Sequence, residues 1–115
     1  LAVSGAFHSS LMRPAAEKFK REMEKIQIQR PPFGVVSNVD GRPSHDPEDI
    51  RRKLSLQITS SVQWVESIEF MARAGIEHFL EIGPGRVLAG LIKRINPALK
   101  TYNIEKPADI EALMF

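Results

Sequence analysis

Cysteine is absent from the 115 residues. That excludes disulfides, a thiolate metal site and a cysteine nucleophile, and it suits a reducing cytoplasm. Aromatic residues make up only 7%, with one tryptophan and one tyrosine, and 16 Lys and Arg against 14 Asp and Glu leave a formal net charge of +2. No basic run with interleaved aromatics occurs, so nothing in the sequence calls for nucleic acid. No apolar run approaches the length of a membrane span, and no secretory leader pattern is visible. A Gly-x-Ser-x-Gly elbow, which would expose a serine nucleophile on a strained strand-to-helix turn, is missing as well. Neither His45 nor His78 has a partner at metal-ligand spacing, so no metal site is expected.

The residues that are present read as one soluble α/β domain. Hydrophobic residues make up 43% and charged residues 26%, ordinary values for a globular chain. From Leu11 to Ile26, apolar residues at Met12, Ala15, Ala16, Phe19, Met23 and Ile26 fall three and four apart, which predicts a helix with one buried face. Arg30-Pro31-Pro32 breaks it. Phe33 to Ser37 reads as a buried strand, and Asn38 to Pro43 as a turn. Asp46-Pro47-Glu48-Asp49 is a helix start, with Asp46 as cap and Pro47 at the first helical position. Ser60 or Ser61 is expected to cap the next helix, and Gly75 to end it in a left-handed conformation. His78 to Ile82 reads as another buried strand. Gly83-Pro84-Gly85 turns it into a helix carrying Val87, Leu88, Leu91, Ile92 and Ile95, and Asn96-Pro97 stops that helix. Thr101 to Ile104 is a last strand, and Pro107 opens a short terminal helix. Strands alternating with helices predict a parallel sheet with packed helices.

The chemistry centres on Val3-Ser4-Gly5-Ala6-Phe7-His8-Ser9. With Leu1 to Val3 as the end of a strand, His8 falls in a strand-to-helix loop. Ser9 and Ser10 are placed to cap the helix that follows. Such loops collect binding and catalytic groups at one sheet edge in parallel α/β folds. A neutral imidazole there can take a proton from a hydroxyl and return it to a leaving group. From position alone, a loop histidine bonded to backbone is the plainer reading. Gly83-Pro84-Gly85 before a helix invites a phosphate-binding reading. A tight turn explains it better, because no third glycine or P-loop lysine follows and Pro84 lacks an N–H.

Four stretches taken together carry a resemblance. Gly5-Ala6-Phe7-His8-Ser9, Val35-Val36-Ser37-Asn38-Val39-Asp40-Gly41, Gln57-Ile58-Thr59-Ser60-Ser61-Val62-Gln63-Trp64 and Glu81-Ile82-Gly83-Pro84-Gly85 stand in an order and spacing similar to those of malonyl-CoA:acyl carrier protein transacylases. The resemblance covers essentially the whole chain. It implies that residues 1–115 are the C-terminal portion of the α/β-hydrolase-like acyltransferase subdomain. The upstream part and a small ferredoxin-like subdomain would precede Leu1. By the same resemblance, His8 matches the general base and acid, and the backbone carbonyl of Gln57 matches the group that orients it. Phe7 is implied to line the acyl pocket and to favour malonyl over α-methyl-branched substrates. The serine nucleophile, the carboxylate-binding arginine and the oxyanion-hole glutamine are implied to lie upstream.

The activity implied is transfer of a malonyl group from malonyl-CoA to the phosphopantetheine thiol of acyl carrier protein, in fatty acid biosynthesis, through an acyl-serine. The partners implied are acyl carrier protein, malonyl-CoA and the N-terminal part of the same protein, in the cytoplasm. No cofactor is implied, malonyl-CoA being a substrate, and neither nucleic acid nor membrane is expected. Three alternatives stay open: an acyltransferase domain of a polyketide or multi-enzyme fatty acid synthase, a non-catalytic α/β nucleotide-binding module, and an inert scaffold that only binds a carrier protein.

Overall fold

Apolar residues three and four apart build the first helix, α1 (Arg13–Met23), behind a 3-10 turn at Ser10–Met12. Pro14 fixes where α1 starts, since a proline in the first turn forfeits only an N–H that has no helical partner. The serines do not cap as expected. Ser9 precedes the 3-10 turn with extended backbone and makes no side-chain cap. Its hydroxyl instead donates backwards to the Ala6 carbonyl at 2.6 Å.

The structure is a computed structural model that describes residues 6–111. The strand expected at Leu1 to Val3 lies outside the described residues. The chain divides into two units, residues 1–67 and 68–115.

In the first unit α1 packs on α2 (Pro47–Leu56), with Met23 and Ile50 buried. The start of α2 follows from Asp46, whose carboxylate accepts the Glu48 N–H at 3.2 Å, and from Pro47 behind it. Arg51 ties the two helices by donating to the carbonyls of Met23 and, at 2.8 Å, Ile26. It thereby adds a donor at the end of α1, where the Met23 carbonyl also accepts the Ile26 N–H at 3.2 Å.

The strand expected at Phe33 to Ser37 is shorter and sits in a different sheet. Only Val35–Val36 (β1) is extended, and it pairs antiparallel with Pro43–Ser44 (β2), which begins at the last residue of the segment read as a turn. Phe33 is exposed rather than buried. Prolines at both ends of the hairpin, Pro32 and Pro43, lack ladder donors and keep it short. Gly41 is required in the turn between: its φ is +63°, and a Cβ there would lie 3.1 Å from the Glu66 side chain and the Ser67 nitrogen.

Helix α3 (Trp64–Arg73) begins three residues past Ser61, so neither Ser60 nor Ser61 caps it. The carbonyl of Gln63 accepts from the Ser67 N–H and hydroxyl instead. Its C-terminus does follow expectation. Gly75 has φ +87°, its N–H reaches the Ala72 carbonyl, and the Ile76 N–H reaches that of Met71, which is the Schellman arrangement.

The second unit holds a parallel pair, β3 (His78–Ile82) and β4 (Lys100–Ile104), in register from His78 opposite Lys100 to Ile82 opposite Ile104. Helix α4 (Val87–Ile95) connects the strands and packs on both. Among the described residues of this unit, Ile68, Ile92 and Leu99 are the buried apolar ones. A short helix, α5 (Ala108–Glu111), follows Pro107. The expected parallel sheet with packed helices is therefore found in this unit, while β1–β2 is an antiparallel exception. Strand β3 is not buried on both faces. Side chains alternate across a strand, and Ile82 is 77% exposed.

Candidate functional site

His8 is held by the turn that leaves the C-terminus of α2. Its main-chain N–H donates to the Ile58 carbonyl at 2.9 Å. Its ring Nδ1 lies 2.8 Å from the Gln57 carbonyl oxygen and 3.1 Å from that of Ser60. Three contacts to one turn, at residues 57, 58 and 60, fix backbone and ring together. They also hold His8 at φ +63°, a left-handed conformation that disfavours most side chains by about 1 kcal/mol or more.

Those carbonyls decide the tautomer. A carbonyl oxygen only accepts, so Nδ1 must carry the proton facing it. In the neutral ring Nε2 then holds the free lone pair, on a residue that is exposed. Such an imidazole can accept a proton at Nε2 and give it back without turning. The orienting acceptors are both main-chain groups, and no carboxylate is needed for the role.

The structure thus brings His8 and Gln57 together across 49 positions of sequence. Sequence reasoning did not find the Ser60 carbonyl, the Ile58 contact or the positive φ. None of these carries a side-chain signal. Because the Gln57 contact is a main-chain one, Gln57→Ala in a protein active through His8 is expected to keep the rate within about tenfold, far milder than loss of the imidazole. Steady-state kcat on a folded variant checks this, and a loss equal to that of His8→Ala would show that the side chain matters.

Phe7 is 60% exposed in the described chain. The other two histidines have structural partners. His45 Nδ1 lies 3.3 Å from the Pro31 carbonyl. His78 stacks on Tyr102 with ring centroids 5.7 Å apart, and its Nδ1 is 3.0 Å from the Tyr102 hydroxyl.

A charged knot that the sequence reading missed lies one helical turn before Gln57. Lys53 is buried, and its Nζ stands 2.9 Å from both Asp40 Oδ2 and Asp49 Oδ2. Asp49 four residues before Lys53 on a helix was a readable signal. Asp40 was not, since it arrives from the hairpin turn. Hydrogen bonds from Lys53, Arg52 and Ser44 hold the Asp49 carboxyl far below the usual carboxylate range. Burial alone would raise the Asp40 carboxyl, but hydrogen bonds from Lys53 and the Arg42 N–H outweigh it and hold it below its ordinary value. Both acids have folded pKa values depressed below the unfolded ones. Their stabilisation is therefore present above the unfolded value of about 3.9 and is lost as pH falls through and below it. Thermal melts are expected to show Asp49→Asn flattening the fall in Tm below about pH 4. An unchanged acid limb would exclude Asp49 as its source.

The Gly83-Pro84-Gly85 turn is already occupied by protein groups. Glu81 accepts the Leu88 and Ala89 N–H groups at the start of α4, at 3.1 and 2.8 Å. Glu105 accepts the Gly85 N–H at 3.2 Å, and Asn103 donates to the Gly85 carbonyl at 2.7 Å. A phosphate at this helix end would have to displace the Glu81 carboxylate, which favours the structural reading of the glycines.

No protein-family model matches the chain. Individual relatives do. It is 44% identical over 111 residues to the malonyl CoA-acyl carrier protein transacylase of Bacillus subtilis, a match covering 96% of this chain. The chain is homologous to malonyl CoA-acyl carrier protein transacylases. Its fold agrees with solved transacylases. The Synechocystis sp. PCC 6803 enzyme superposes with a TM-score of 0.90 at 37% identity, over 98% of this chain. A malonyl-transacylase solved in complex with its type II polyketide acyl-carrier protein superposes with a TM-score of 0.88 at 42% identity, over 97% of this chain. The chain spans 35% of the length of the Bacillus transacylase and 39% of the Synechocystis one. Among the described residues, no helix is long and apolar enough to cross a membrane.

Proposed function

We propose that the protein carrying this chain transfers a malonyl group from malonyl-CoA to the phosphopantetheine thiol of an acyl carrier protein, with His8 as general base and acid. The observation that carries the reading is the pair of carbonyls on Nδ1, which leaves Nε2 free to work. A serine outside this chain gives its hydroxyl proton to Nε2 and attacks the thioester carbonyl. The tetrahedral adduct collapses, the C–S bond breaks, and Nε2–H protonates the departing coenzyme A thiolate. In the second half the carrier thiol gives its proton to Nε2 and attacks the acyl-serine ester, and the serine oxygen leaves with that proton. Residues 1–115 then form the C-terminal portion of a hydrolase-like subdomain, and the nucleophile, carboxylate-binding and oxyanion groups come from upstream. The transacylase names of the relatives and the carrier-protein complex of one of them support the substrates and the partner. The absence of cysteine suits a cytoplasmic setting. Fatty acid and polyketide carriers present the same thiol, so the reading covers both.

The test is to incubate the intact protein with malonyl-CoA, digest it, and map the covalent adduct. A malonyl ester on a serine outside residues 1–115 is expected. An adduct on a serine of this chain, or none in an active protein, would overturn the proposal.

Phe7 is the proposed selector of substrate in this reading. It directly precedes His8, and an aromatic ring fills the volume that an α-methyl group needs. Discrimination of one methyl group is worth about 1–3 kcal/mol. Phe7→Ser in the intact protein is therefore expected to raise the methylmalonyl-to-malonyl ratio of kcat/KM by roughly tenfold or more. Competition between the two thioesters measures it. An equal loss of both rates would mean that Phe7 supports the fold or the histidine.

A further inference from the structure

We propose that the Lys53–Asp40 ion pair is a clamp that positions the carbonyls orienting His8, which makes Lys53 and Asp40 positioning residues for the reaction. This rests on the reading of His8 as the base.

A closed ring of contacts runs within the first unit. Residues 57–63 link α2 to α3 and supply every carbonyl that holds His8. At its start this segment is tied to α2, where the Gln57 N–H donates to the Lys53 carbonyl at 3.0 Å. At its end it is tied to the hairpin turn, where the Gln63 N–H donates to the Asn38 carbonyl at 2.7 Å. The two anchor points are thus Lys53 on the helix and Asn38 to Asp40 in the turn. The 2.9 Å bridge from Lys53 Nζ to Asp40 Oδ2 joins them and closes the ring.

The turn is stiff enough to transmit that link. Gly41 N–H donates to the Ser37 carbonyl at 2.8 Å, Val39 N–H to the Ser37 hydroxyl at 3.2 Å, and Arg42 N–H to Asp40 Oδ1 at 3.1 Å. A cavity of about 100 Å³ lies between helix and turn, bordered by Ser37, Asn38, Lys53, Leu54 and Gln57. Lys53, one member of the ion pair, borders this cavity. Asp49 binds the same ammonium and accepts from Ser44 of β2, so it ties α2 to the hairpin strand rather than to the 38–40 turn and lies outside the ring. Breaking the ring releases one end of the 57–63 segment, and a displacement of about 1 Å at a catalytic group can lower a rate by up to 10²-fold.

Two substitutions in the intact protein separate positioning from stability. Asp40→Asn cuts the ring and leaves Lys53 paired with Asp49. Asp49→Asn removes an equivalent bridge and leaves the ring closed. Asp40→Asn is expected to lower kcat roughly tenfold with KM for malonyl-CoA unchanged. It should also move the ¹⁵N imidazole signals of His8 away from a single Nδ1-protonated form. Asp49→Asn is expected to keep kcat within about twofold and leave those signals in place, whatever its Tm. If Asp40→Asn does not fold, Lys53→Gln breaks the same link from the helix side, and Lys53→Arg, which can keep it, is expected to retain the rate. Equal effects of Asp40→Asn and Asp49→Asn on kcat and on the imidazole would overturn the clamp. His8→Ala distinguishes the underlying reading. If it abolishes transfer while Asp40→Asn changes nothing, the base stands and the clamp falls. If it leaves transfer intact while Asp40→Asn shifts the imidazole signals, the clamp stands and the base falls.

Discussion

Replacing His8 by alanine in the intact protein is expected to lower the acylation rate by about a thousandfold or more, the upper part of the range for general acid–base catalysis. In the proposed mechanism both half-reactions move a proton through Nε2, so both should slow together. Alanine at φ +63° carries backbone strain of its own. His8→Asn is therefore the cleaner partner variant, because asparagine tolerates the left-handed region and offers no base. Rapid-quench measurement of the acyl-enzyme, alongside a thermal melt, separates lost chemistry from lost folding. Acylation at the normal rate in either folded variant would remove His8 from the mechanism.

The 115-residue chain on its own is expected to show no malonyl transfer, at least about a thousandfold below the intact protein. It carries the proposed base, but its sequence has no Gly-x-Ser-x-Gly elbow, and a base without its nucleophile loses most of the rate that the pair produces together. The Ser9 hydroxyl beside His8 donates to the Ala6 carbonyl. A transfer assay on the purified chain, with the intact protein as control, is the check. Turnover at an ordinary enzymatic rate would place the nucleophile within these residues and contradict the proposed division of labour.

Local chemistry made parts of this structure readable. Asp46-Pro47 fixed the start of α2, and Gly75 fixed the end of α3, because each rests on backbone groups only a few residues away. His78 to Ile82 had the right bounds but the wrong burial, since hydrophobicity alone does not say which faces of a strand find cover. The hairpin partner Pro43–Ser44 was illegible, two residues with a proline having no strand signal. Ser9 and Ser61 were misread as caps because a serine before a helix can equally donate its hydroxyl or stand too far away. At the site, His8 and Gln57 were paired through family resemblance, while spacing alone gave no hint of a contact between a loop and a distant carbonyl. Lys53 reads as one more solvated charge on α2 until Asp40 arrives from the turn.

The central claim is that the Gln57 and Ser60 carbonyls fix the proton of His8 on Nδ1 and leave Nε2 as the base. The most direct measurement is the ¹⁵N spectrum of the His8 imidazole in the intact protein, assigned by comparison with His8→Asn, at a pH where the ring is neutral. The account predicts one pyrrole-like nitrogen at Nδ1 with its bonded proton in a hydrogen bond, and one pyridine-like nitrogen at Nε2. A neutral ring with its proton on Nε2 would contradict it.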